Sequence, residues 1–121
     1  MTEQEFRAFL EGLWKKGRVS QVSAVIDSND VEVSSASGYI QGHALLPRDY
    51  DRIPEEKIIG MGSLLFMGEV SQESKKAILM ILAHYPRETA LAILAKYALK
   101  PDIGLEFFAR MALEECAMWT E

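Results

Sequence analysis

The sequence predicts an all-α fold: one domain spanning 1–121, built of antiparallel helical hairpins, about six to seven helices in all, either solenoid-like or packed as an orthogonal bundle. Three observations carry that reading. Apolar residues recur at intervals of three and four along most of the chain, which places them on one face of a helix. Prolines and small hydroxyl residues stand where such runs begin, the positions at which they open or cap helices. The connectors are short enough to force neighbouring helices antiparallel.

The first element follows from Thr2-Glu3-Gln4-Glu5, which has the spacing of a capping box. Phe6, Phe9, Leu10, Leu13 and Trp14 then form one broad apolar face, and Lys15-Lys16-Gly17 supplies a basic last turn and a terminating glycine. Residues 18–46 admit two readings. As helix, Val19, Val22, Val25 and Ile26 fit the spacing, Asn29 and Glu32 resemble a cap, and Val33, Ala36, Ile40 and Ala44 line one face. Ser34, Gly38 and Gly42 would make a small-residue face that admits a close neighbour. As strand, VEVSSASGYI has the right composition and Asp27 to Asp30 would be a hairpin turn. Helix is preferred, because a lone hairpin in a helical chain has no sheet to join.

Pro47 to Pro54 reads as a charged loop bracketed by prolines, and Pro54 suits the first position of the next helix, where Glu55 and Glu56 complement its dipole. From Ile58 to Met67 that helix is apolar nearly all round, so it is expected to be the central buried one. Gly60 and Gly62 would each cost about 1 kcal/mol relative to alanine inside a helix, which points to a neighbour packed very close. Ser71 caps a helix with Ala77, Ile78, Ile81 and Leu82 inward, and Pro86 opens another with Leu91, Leu94 and Ala98 inward. Pro101 opens the last, whose inward stripe is Leu105, Phe108, Ala112, Cys116 and Trp119. Ile103, Phe107 and Met111 make a second stripe, suited to closing a homodimer.

Offsetting the chain against itself by 31 to 32 residues aligns Glu56, Ile59, Met61 and Leu65 with Glu88, Leu91, Ile93 and Tyr97. The same shift aligns Ala77, Ile78, Ile81 and Leu82 with Phe108, Ala109, Ala112 and Leu113. In this pattern, over about residues 55–118, the chain resembles the HEAT-like and armadillo-like α-solenoids. The resemblance implies two stacked hairpins over 55–118, a cap-like part over 1–54, and a binding scaffold rather than a catalyst.

Composition narrows the function. With 49% hydrophobic and 26% charged residues the chain is of ordinary globular type, and its single cysteine, Cys116, allows no internal disulfide. A start without a signal-peptide pattern, and a longest apolar run, Ile58 to Gly68, well short of the roughly 20 residues a bilayer needs, lead to the expectation of a soluble cytoplasmic protein off the membrane. Net charge −5 without a Lys/Arg stripe argues against nucleic acid as partner.

No catalytic, cofactor-binding or metal residue is assigned from the sequence, and no cofactor is expected. GMGSLLFMG has neither the spacing nor the Lys-Ser/Thr of a phosphate loop. Only Glu88 stands at three- or four-residue spacing from His43 or His84, and Pro86 lies between it and His84, so no metal is preorganised on one helix. Cys116 lies on an apolar stripe, the place of an inert small hydrophobe. The charge map is more informative: 27–56 carries seven acids and two bases, equal to the whole net charge. The leading expectation is therefore a non-enzymatic interaction module that presents this acidic segment to a basic protein, as a bacterial immunity or antitoxin-type inhibitor does, through Arg48, Asp49, Tyr50, Asp51, Arg52, Glu55 and Glu56. The alternatives are a small-molecule- or metal-binding bundle, enzymatic or not, with a site assembled across helices from His43, His84 and scattered carboxylates, and a structural homodimer subunit.

Overall fold

The computed structural model describes residues 1–18 and 38–120, and among these it is all-helical, with six α-helices and no strand. The capping box is formed as its spacing predicts: Thr2 Oγ1 accepts the Glu5 N–H at 3.1 Å, and the Glu5 carboxylate accepts the Thr2 N–H at 3.0 Å. It starts α1 (Glu3–Trp14), which buries Phe6 and Leu10 and half-buries Phe9, Leu13 and Trp14. Gly17 ends the segment at φ +127°, a left-handed conformation that side chains resist, and its carbonyl accepts the Arg48 N–H at 2.9 Å.

Residues 38–42 are helical (α2) and run into a 3₁₀ turn, His43–Leu45, so the helical reading of 18–46 holds over 38–45, whereas Arg18 forms an isolated bridge with Pro47 and Leu46 is extended. Val19 to Ala36, with the cap at Asn29 and Glu32, the turn at Asp27 to Asp30 and Ser34, lie outside the described residues. Gly42 does admit a close neighbour: a Cβ there would lie 3.0 Å from both Met80 Cε and Phe108 Cζ, whereas Gly38 has nothing within 4 Å. The loop from Pro47 to Pro54 contains a second 3₁₀ turn, Tyr50–Arg52, and is pinned by buried Leu46 and Ile53.

Four further helices follow among the described residues: α3 (Glu55–Leu64), α4 (Gln72–Ala83), α5 (Glu88–Leu99) and α6 (Glu106–Trp119). Helix α3 packs on α4 and α5, α4 on α5, α6 and the His43–Leu45 turn, and α5 on α6. The central buried helix is α4, not α3. Nine of its twelve residues are buried, whereas Ile59 of α3 is 54% exposed. Apolar composition alone does not decide centrality; the number of helices that surround an element does. The close approach expected at the glycines of α3 is real at Gly62, where a Cβ would meet Ile93 Cδ1 at 2.8 Å.

Three boundaries differ from expectation, the first being the end of α3, at Leu64 rather than Met67. Helix α5 starts after Pro86-Arg87 and buries Ala90, Leu94 and Tyr97, with Leu91 and Ala98 half-buried. Helix α6 starts at Glu106, because 101–105 form a turn with Gly104 at φ +92°. Leu105, Phe108, Ala112 and Cys116 are buried as expected, but Trp119, near the end of α6, is 58% exposed. Ile103, in the turn rather than on the helix, is 89% exposed and shares no face with half-buried Phe107 and Met111.

The N-terminus of α4 is capped twice. Ser71 Oγ accepts the Ser74 N–H at 3.3 Å. From α1, Glu3 Oε2 accepts the Ser71 hydroxyl at 2.6 Å, the Ser74 hydroxyl at 2.7 Å and the Ser71 N–H at 3.2 Å. These hydrogen bonds, those from the serine hydroxyls first, hold the Glu3 carboxyl below its ordinary range. Among the described residues no helix is long and apolar enough to cross a membrane.

Candidate functional site

Where α4 ends, the chain leaves the helix at His84, whose Nδ1 lies 2.8 Å from the Met80 carbonyl oxygen one turn back. His43 stands at the start of the 3₁₀ turn after α2, with Nδ1 3.2 Å from the carbonyl oxygens of both Tyr39 and Ile40. Packing of that turn against α4 brings the two imidazoles edge to face, centroids 5.0 Å apart. Helix α6 supplies Glu115, one residue before buried Cys116 and therefore at the edge of the core. His43 Nε2 lies 3.3 Å from Glu115 Oε1, and His84 Nε2 lies 3.1 Å from Glu115 Oε2. Side-chain exposures of 25%, 14% and 18% for His43, His84 and Glu115 make this a partly sheltered cluster that solvent can still reach.

The tautomers follow from the backbone. Each Nδ1 faces carbonyl oxygens and so serves as the N–H donor, which turns both Nε2 atoms toward one carboxylate. A bare Nε2 lone pair opposite a carboxylate oxygen would be repulsive, so the space between the three side chains calls for positive charge: protons on the imidazoles or a metal ion. Burial by itself would raise the Glu115 carboxyl, but hydrogen bonds from His43, His84 and Tyr39 outweigh it and hold the group well below the carboxylate range. The hydrogen bond to Glu115 raises His43 against the opposing effect of its burial. Tyr39, raised by burial and by its bond to Glu115, stays a neutral donor.

A ring of aromatic side chains sets these groups in place. Tyr39 meets His43 and Phe108 edge-on at 5.3 and 4.9 Å, and Tyr50 meets His84 at 5.7 Å. The donor atoms of His43, His84 and Glu115 all lie within 4.8 Å of one another. Ligands around tetrahedral zinc are about 3.3 Å apart, given bonds of about 2.0–2.1 Å; to the single oxygen Glu115 Oε2, His43 Nε2 at 3.4 Å and His84 Nε2 at 3.1 Å are close to that edge.

Of the residues expected to contact a partner, Arg48, Asp51, Arg52, Glu55 and Glu56 are exposed and Asp49 is half-buried. Glu55 also accepts the Thr89 hydroxyl at 2.5 Å. Tyr50 is half-buried against His84 and so belongs to the histidine cluster as much as to the loop. Cys116 is buried with Sγ 3.6 Å from the Tyr85 carbonyl oxygen, and burial raises its thiol, which suits a packing role. Spacing missed Glu115, which lies 72 residues from His43 in the chain. The one local signal was Tyr39 and His43, four apart, on one face of a helix.

Comparison of the chain with protein families, with characterised proteins and with solved structures gives no significant match. The functional reading therefore rests on geometry.

Proposed function

We propose that this chain is a helical metal-binding protein in which His43, His84 and Glu115 hold a divalent transition-metal ion of the zinc class. The observation that carries the reading is the convergence of two Nε2 atoms on one carboxylate while both Nδ1 atoms are held by backbone carbonyls. Carbonyl contacts of that kind orient ligating histidines and fix their tautomers in metal sites generally. Tyr39 does the same for the carboxylate. Two nitrogens and a carboxylate oxygen suit zinc and its neighbours in the first transition row better than magnesium or calcium, which prefer oxygen donors throughout. Three protein ligands leave a further coordination position for water or a small ligand.

The test is calorimetric titration of chelator-treated protein with zinc, together with the His84→Ala and Glu115→Gln variants checked for folding by circular dichroism. One equivalent bound by the parent chain, and loss of at least a hundredfold in affinity in either variant, is the expected result. Equal zinc binding by parent and variants would overturn the proposal.

A second reading is favoured by exposure of Asp51, Arg52, Glu55 and Glu56 on the most acidic part of the chain: this surface docks a basic protein. Each helix from α3 to α6 packs on its nearest and next-nearest neighbour where both exist, the arrangement of stacked hairpins, which supports a scaffold that holds such a surface. Reversal of Asp49, Asp51, Glu55 and Glu56 to lysine should abolish partner capture; unchanged capture would remove this reading.

A further inference from the structure

We infer that the cleft between the end of α3, the start of α4 and the α5–α6 turn is a second ligand site, for a small organic acid: a carboxylate carried on an apolar body. The cleft has a volume of about 770 Å³, within the range of small-molecule sites. Its charge is opposite to that of the chain. Lys75, Lys96 and Lys100 line it with one acid, Asp102, a local excess of positive charge in a protein of net charge −5.

Lys75 makes this more than a scatter of surface lysines. It is 2% exposed, and a buried ammonium is costly unless paired. Its partner is Asp102, with Nζ 2.7 Å from Oδ2, but that same oxygen also accepts the Tyr97 hydroxyl at 2.5 Å. Lysine carries three N–H donors, and the hydrogen bonds among the described residues use one of them. Securing the α5–α6 turn needs only Asp102 and Tyr97, whose hydroxyl oxygen also accepts the Asp102 N–H at 3.2 Å. Lys96, on α5, and Lys100, just past its end, have no ion-pair partner among the described residues and remain available to an anion.

The other walls are apolar. Leu65 and Val70 are buried at the cleft, while Phe66 is 48% exposed and Ile103 89% exposed. Phe66 lies edge-on to Tyr97 at 5.9 Å, with Lys96 Nζ 5.2 Å from its ring centre. Cations above an apolar wall match an amphiphile with one anionic end. Compact lysine ammoniums act as point charges toward one anionic head group, and the apolar walls favour a carboxylate on a hydrocarbon body over a fully hydrated inorganic anion. This site lies apart from the histidine cluster and does not depend on metal binding.

The experiment titrates the full chain with octanoate and follows backbone amide resonances, with octyltrimethylammonium and inorganic phosphate as comparison probes. Saturable shifts at Leu65, Phe66, Tyr97 and Ile103, and at least a tenfold loss of affinity in the Lys96→Gln/Lys100→Gln double variant, are expected. Both lysines are exposed, so the variant should fold, and its spectrum reports that directly. Equal binding of the cationic amphiphile or of phosphate, shifts confined to residues outside this cleft, or unchanged affinity in the variant would each overturn the inference.

Discussion

Tyr39 donates its hydroxyl hydrogen to Glu115 Oε1 at 2.5 Å across 76 residues of sequence, and its ring packs on His43 at the same time. One side chain thereby orients the carboxylate and one of the two imidazoles that meet it. Tyr39→Phe keeps the ring and removes only the donor. Zinc affinity should fall about 10- to 100-fold, the usual effect of losing an outer-sphere partner, with a stability loss of about 1 kcal/mol. Calorimetry and denaturant titration separate the two effects. An unchanged zinc affinity would mean that the tyrosine does not position the carboxylate.

In the proposed site, metal and proton would compete for His43. Its hydrogen bond to Glu115 raises its pKa in the folded, metal-free chain, so zinc must displace a proton that the fold helps to retain. Apparent affinity should rise with pH through the acidic and neutral range and level off once the imidazole is neutral. Titrations in buffers of different ionisation enthalpy should show proton release on the acid side of that plateau. Affinity independent of pH would contradict ligation through His43.

Asp102 supplies an acid-side dependence unrelated to the metal. Its bond from Lys75, and then that from Tyr97, lower its folded pKa. The stabilisation is fully present above the unfolded aspartate pKa of about 3.9 and is lost as pH falls through the lower folded value. Asp102→Asn should flatten this acid limb and cost about 2 kcal/mol at neutral pH. That is less than for a fully buried pair, since the Asp102 side chain is 36% exposed. Lys75→Met in the same chain should recover part of the loss in a double-mutant cycle.

Gly62 tests how tightly α3 meets α5. Alanine gains about 0.5–1 kcal/mol of helix preference, but its Cβ would stand 2.8 Å from Ile93 Cδ1. We expect net destabilisation of about 1–2 kcal/mol from overpacking. Adding Ile93→Val, which deletes that methyl, should reverse most of it. Additive effects in the thermal midpoints would show that the two residues do not compete for space.

Local chemistry made some of the fold legible before any coordinates. Thr2 and Glu5, the 3.6-residue face of Phe6 and Leu10, and the Ser71 cap each depend on residues a turn apart, which is the range over which sequence pattern reports directly. The burial of α4 was not legible, since it depends on which helices surround it rather than on its own composition. Nor was the site: Tyr39, His43, His84 and Glu115 come from three parts of the chain and meet only through tertiary packing. Gly42, by contrast, was marked by its small size for a close approach, and its missing side chain lets α2 approach Met80 and Phe108.

Glu3 has a bearing on how the molecule melts. Its carboxylate begins α1 and receives three hydrogen bonds from the first turn of the most buried helix, 68 to 71 residues later. Detaching α1 strips Ser71 and Ser74 of that acceptor and uncovers the side of the core filled by Phe6 and Leu10. The first seventeen residues and the hairpins that follow should therefore behave as one cooperative unit in native-state hydrogen exchange, with the early amides of α4 expected to open together with those of α1.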